Sequence, residues 1–140
     1  MKKKVIVSMG CIMITLVVCI LWYSMREVKP LENVNVAELG KMTVAYNGEW
    51  IEMVQQGDMK AVMEALGQMR LRRAIPMDYD GFNAIIDLYD KDGNIDKIVI
   101  RGDYIIINEN YYKSERDYSA DFRKVANNIA KKPTTIRHKS

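Results

Sequence analysis

The stretch KMTVAYNGEWIEMV, residues 41–54, decides the fold. Met42, Val44 and Tyr46 alternate with Thr43 and Ala45, the period-two pattern of a half-buried strand. Asn47-Gly48 follows at once, and this dipeptide takes the positive φ angles of a type I′ turn at little steric cost. Residues 49–54 therefore fold back as a second strand, whose Glu49 and Glu52, three residues apart, face opposite sides. The body of the chain is built on an antiparallel hairpin.

Downstream, Gly57-Asp58 breaks the strand pattern. Met59, Val62, Met63, Leu66 and Met69 then keep to one helical stripe, predicting a helix from residue 59 to about 71 with Asp58 as N-cap. Arg70, Arg72 and Arg73 fall at its end, where cations suit the helix dipole; contact with anionic headgroups is the alternative use. Beyond Pro76, Phe82, Ala84, Ile86 and Leu88 alternate with Asn83, Ile85, Asp87 and Tyr89, the pattern of a central strand. Turns at Asp90-Lys91-Asp92-Gly93 and Gly102-Asp103 return the chain through residues 95–101 and 104–107, extended after residues 108–110 by Tyr111 and Tyr112. Ser114 with Asp117 opens a last helix with the stripe Tyr118, Phe122, Val125, Ala126 and Ile129. The expected domain is α+β, about five antiparallel strands with two packing helices in the order ββαβββα, over residues 40–130. Residues 24–39 read as a linker, and residues 131–140, with Pro133 and scattered cations, as a disordered basic tail.

Upstream the character changes. Lys2, Lys3 and Lys4 precede nineteen uncharged residues, 5–23, about 28 Å as a helix and close to the hydrocarbon thickness of a bilayer. Trp22 and Tyr23 fall where an aromatic belt belongs, with Arg26 just beyond. Cleavage by signal peptidase needs small residues at −3 and −1, yet no Ala precedes Ala37, and a cut after Ser24 would put Trp22 at −3. Lipidation fits no better: Cys19 follows Val18, and Cys11, although after Gly10, lies only a few residues past the lysines. A permanent transmembrane anchor is expected, its N-terminus cytoplasmic by the positive-inside rule and its domain extracytoplasmic.

Of 21 Lys and Arg, only 16 lie beyond residue 30, against 17 Asp and Glu there. The basic balance therefore belongs to the termini and argues against a nucleic-acid face, which needs cations gathered on the folded body. Both cysteines sit in the apolar segment, so the domain has neither disulfide nor thiolate. The one histidine, His138, lies in the tail, and no Ser-His-Asp, Cys-His or phosphate-loop constellation can be assembled. Asp78 and Asp80 are a carboxylate pair of the kind that surface loops carry routinely. Asp90, Asp92, Gly93, Asn94 and Asp96 crowd oxygens as a calcium loop does, but aligning Gly93 on the loop glycine puts Leu88 and Val99 at the end-ligand positions. A polar turn explains the same residues. The methionines of the first stripe read as core filler. No cofactor and no metal site is expected. The chemistry left over is aromatic: Trp50, Tyr89, Tyr104, Tyr111 and Tyr112 form a candidate partner surface, tyrosine being favoured both at interfaces and on half-exposed sheets.

Trp50-Ile51, the Met-rich helix, Ile86-Asp87-Leu88-Tyr89-Asp90 and Tyr111-Tyr112-Lys113 ahead of a final helix resemble, in that order, small membrane-anchored or lipoprotein-like extracytoplasmic domains of unknown function from Gram-positive bacteria. The resemblance implies an envelope location and an α+β class, and no activity; this chain lacks the clear lipidation cysteine of many such proteins. The expected function is a non-enzymatic, membrane-tethered binding module, an immunity-type protein being one example. A subunit of a secretion- or conjugation-type membrane assembly and a small hydrolase are the alternatives.

Overall fold

The computed structural model describes residues 2–78, 81–132 and 135–139. It opens with helix α1 (Lys2–Met25), followed by strand β1 (Glu27–Val28), a 3₁₀ turn (Val36–Glu38), β2 (Leu39–Tyr46) and β3 (Glu49–Met53). Helix α2 (Gln56–Gly67), β4 (Leu71–Arg73), β5 (Ala84–Asp90), β6 (Ile95–Arg101), β7 (Tyr104–Ile107), β8 (Asn110–Ser114), α3 (Ser119–Ala130) and β9 (Ile136–Lys139) complete it. The class is α+β, with one antiparallel sheet in the order β1-β4-β8-β7-β6-β5-β2-β3-β9.

The β2–β3 hairpin turns on Asn47 and Gly48, at φ 51° and 74°, and pairs Tyr46 with Glu49 through Met42 with Met53. Strands β5 to β8 form the meander, and β2 lies against β5 with Val44 opposite Ile86. The loop between β5 and β6 is a turn tied by Asp90, whose Oδ1 accepts the backbone N–H groups of Asp92 and Asn94 at 2.9 and 2.8 Å. These hydrogen bonds, the Asn94 side chain's first, hold the Asp90 carboxyl below its usual range.

Two connections cross the whole sheet. One leaves β3 near one end and, through α2, reaches β4 near the other; the second returns from β8 through α3 to β9. Both helices join one core with Met42, Val44, Ile51, Ile86, Leu88, Ile98, Ile100 and Ile105, and so lie on the same side of the sheet. The Tyr46 hydroxyl donates to Asn127 Oδ1 of α3 at 2.8 Å, and burial, followed by the nearby Glu49 charge, raises its pKa. Burying each of these large apolar side chains stabilises the fold by about 1.5–3 kcal/mol.

Nine strands appear among the described residues, rather than about five. The extra strands are short or weakly patterned: β1 has two residues and β4 three, too few to show a period, and they are held by pairing Val28 with Leu71 and Leu71 with Ser114. Two corrections follow for α2, the helix expected from residue 59 to about 71. It ends at Gly67, so Arg72 and Arg73 stand on β4 rather than on a helix end. Asp58 is no N-cap; it lies buried in the first turn and pairs with the Lys132 ammonium. Ser114 likewise ends β8, and the N-terminal contact of α3 is made by Asp117, whose Oδ1 accepts the Ser119 N–H at 2.7 Å.

The linker and tail also differ from expectation. Val28, Leu31, Val34 and Val36, in residues 24–39, pack against the core instead of spanning free space. In the tail expected to be disordered, Ile136–Lys139 adds to β3, pairing Trp50 with His138 and Ile51 with Arg137. Backbone hydrogen bonds to an open strand edge need no apolar alternation, which is why composition did not disclose this strand. Asp80 and Pro133 lie outside the described residues.

Candidate functional site, the bare face of the sheet

Because both crossing helices share one side, no helix of the domain covers the other. The β registers place on that bare side a continuous row, one residue per strand: Trp50, Ala45, Ile85, Val99, Ile106 and Tyr111, running from β3 to β8. Trp50 is 39% exposed, while Ile85, Val99, Ile106 and Tyr111 are half-buried. Apolar rows of this length are ordinary inside a core; on a face without a covering helix this one leaves apolar area at the surface.

A polar row runs beside it. Glu52, Thr43, Asp87 and Lys97 follow one another from β3 to β6, and Asn108 comes next, its Oδ1 accepting the Lys97 N–H at 2.8 Å. Asp87 is the unusual member. Only 8% exposed, it has no hydrogen-bond partner for its Oδ1 among the described residues. A buried carboxylate oxygen with no donor is costly, by about 1–3 kcal/mol or more, and such a group needs an explanation.

Charge around the row is mixed, Lys41, Lys97 and Lys113 each standing beside a carboxylate. Lys41 meets Glu52 at 3.6 Å and lies over the Tyr89 ring at 4.7 Å, Lys97 is exposed, and Lys113 meets Asp103 at 3.3 Å. The two ion pairs are exposed and of small individual value.

Of the aromatic residues singled out by sequence, Trp50 and Tyr111 stand at the two ends of the apolar row. Tyr89 lies on the same face, beside Lys41. Tyr104 is also on this face but is buried beneath the segment after β4: its hydroxyl donates to Met77 Sδ at 3.0 Å. Tyr112 does not belong to the surface. It pairs with Ile105, faces the helices and is 8% exposed, because successive side chains on β8 point to opposite sides. Sequence reading passed over Ile85, Val99, Ile106 and Asp87; the available signal was apolar residues in the nominally outward phase of three neighbouring strands.

Trp22, Tyr23 and Arg26 lie beside the β1–β4 edge, the end of the sheet opposite β9, and Lys2, Lys3 and Lys4 lie at the far end of the apolar helix. Ile6–Met25 is long and apolar enough to cross a bilayer, and none of it is buried against the domain. Lys2, Lys3 and Lys4 form its first turn. The Arg26 guanidinium lies over Trp22 at 5.8 Å, and Arg73 over Tyr23 at 5.3 Å, within reach of a cation–π attraction. The Thr15 and Ser24 hydroxyls donate to the helix's own Cys11 and Leu21 carbonyls, so neither needs a partner helix in lipid. No family model, no curated protein and no solved structure matches this chain.

Proposed function

We propose that this chain is a membrane-tethered, extracytoplasmic and non-enzymatic binding module that offers the bare side of its sheet to a protein partner in the envelope. The observation that carries the reading is the Trp50–Tyr111 row beside the partnerless Asp87 oxygen. The row supplies apolar area, with an aromatic residue at each end, the residue type enriched at interfaces. Asp87 adds a carboxylate beside the row, and the small part of it that is exposed can take a donor from the partner. Lys97, the exposed cation of the polar row, favours a partner that is acidic where it meets that row. The apolar N-terminal helix supports the tether, and the lysines before it support an extracytoplasmic domain.

Hydroxyl-radical footprinting of the full chain tests the proposal. Trp50 and Tyr111 should be oxidised readily in purified protein in detergent and several-fold more slowly in native membranes, while Met13 inside the span and Lys60 on α2 serve as references. Equal oxidation of Trp50 and Tyr111 in both preparations would count against an occupant of this face.

A further inference from the structure

A second surface adjoins the first at Tyr104 and Lys113 and differs from it in composition. Helix α1 ends at Met25 and β1 begins at Glu27, so one residue separates the apolar helix from the sheet. β1 pairs with β4, and β4 leads into the segment Ala74-Ile75-Pro76-Met77. Ser24, Arg72, Arg73, Ile75, Met77 and Lys113 line one hollow, which places the end of the helix, three cations and two apolar side chains together. Ile75 is 80% exposed and Met77 50%, and Ile75 is the most exposed large apolar residue described, the apolar helix included. Isolated apolar residues on a surface are commonplace. These two lie where a chain leaving a bilayer has no slack to lift them away.

From this placement we infer that the β1–β4 edge docks on the bilayer surface: Ile75 enters the headgroup–acyl boundary, with Met77 behind it against Tyr104, and Arg72 and Arg73 contact the phosphates of anionic lipids. The inference rests on the tethered reading of α1. Physical precedent lies in interfacial segments generally, which combine an apolar insert of about 5–10 Å depth with cations that hold anionic headgroups. Arg73 over Tyr23 and Arg26 over Trp22 already put guanidinium groups at the level of the aromatic belt. The nearby carboxylates are Glu27, opposite Arg72, together with Glu32, Glu115 and Asp103, the last paired with Lys113. They moderate the field of the edge, so the apolar insertion and the cations act jointly. Docking of this edge would hold the sheet at a fixed attitude, with β9 farthest from the lipid.

The test uses the full chain in lipid nanodiscs, with Cys11→Ser and Cys19→Ser removing the native thiols. Single cysteines introduced by Ile75→Cys, Leu16→Cys and Glu64→Cys each carry an environment-sensitive fluorophore. In discs of phosphatidylcholine mixed with phosphatidylglycerol, the label at position 75 should shift to the blue and lose intensity to a lipid-borne nitroxide. That at position 64 should behave as in water. The position 75 signal should weaken severalfold in phosphatidylcholine alone, and equally on adding Arg72→Gln and Arg73→Gln in the mixed discs. A water-exposed label at 75 with a lipid-buried label at 16 would overturn the docking and leave the tether standing. Water exposure at both positions would overturn the tether and the docking with it. Equal quenching in neutral and anionic discs would overturn the role given to the cations.

Discussion

The two sides of one sheet make the informative comparison, because the same strands supply both. On β5, Ile86 and Leu88 face the helices in a layer of aliphatic side chains, while Ile85, Asp87 and Tyr89 face the side with no helix. Connectivity makes the difference: both helical crossings run over one side, the meander β5 to β8 needs only tight turns, and the connection from β4 to β5 brings no helix to the other side, only Ile75 and Met77 over Tyr104. An apolar row persists on that side although no described helix covers it, the segment of residues 75–77 reaching only over Tyr104. One face of the sheet is therefore made for folding, and the proposed association would account for the apolar row on the other.

Substitutions that compare the sides should separate them. The largest effect is expected at the adjacent pair Ile86 and Ile85. Ile86→Ala should lower unfolding free energy by about 3 kcal/mol, the usual cost of a cavity in a packed core; Ile85→Ala should cost about 1 kcal/mol from lost apolar contact. Urea unfolding of the full chain in detergent measures both, and equal losses would mean that the bare side is covered after all.

The two buried aspartates sharpen the contrast. Asp58 pairs with Lys132, joining the start of α2 to the end of α3, whereas Asp87 Oδ1 has no partner among the described residues. Asp58→Ala should destabilise by about 2 kcal/mol, below the full cost of breaking a buried pair because the lysine is half exposed. Asp87→Ala should be neutral or stabilising by up to about 1 kcal/mol, while weakening partner capture in cells. Loss of stability at Asp87 comparable to that at Asp58 would remove the case for an external donor.

Smaller effects belong to the helix layer. Asp117→Ala should cost about 1 kcal/mol by freeing the N–H at the start of α3. Hydrogen bonds from Ser119 hold the Asp117 carboxyl below its ordinary value, as the Asn94 side chain does for Asp90. A carboxyl lowered on folding contributes stability above its unfolded pKa, about 3.9, and loses it as pH falls through the folded value. Thermal stability should accordingly fall below about pH 4, and Asp117→Ala should flatten that decline.

Much of this was legible in the residues. Period-two alternation with Asn47-Gly48 located the hairpin, the apolar stripes located both helices, and nineteen uncharged residues marked the apolar helix, each signal arising within a few residues of chain. Strands β1, β4 and β9 were not legible, because they are short and depend on backbone pairing with strands distant in sequence. The same limit applied to the site. Trp50 and Tyr111 were recognisable as interface types, but their row with Ile85, Val99 and Ile106 exists only through the registers of five strand pairs. Tyr112 was assigned to the wrong side because the phase of a strand cannot be fixed from two adjacent tyrosines.

Photo-crosslinking in intact cells tests the central claim most directly. A benzophenone side chain placed in turn at Trp50, Ile106 and Tyr111 on the bare side, and at Lys60, Glu64 and Arg123 on the helices, compares the two faces within one fold. The account predicts a single adduct of the same mass from all three sheet positions and none from the helices. Adducts arising equally from both sides, or from the helices alone, would contradict it.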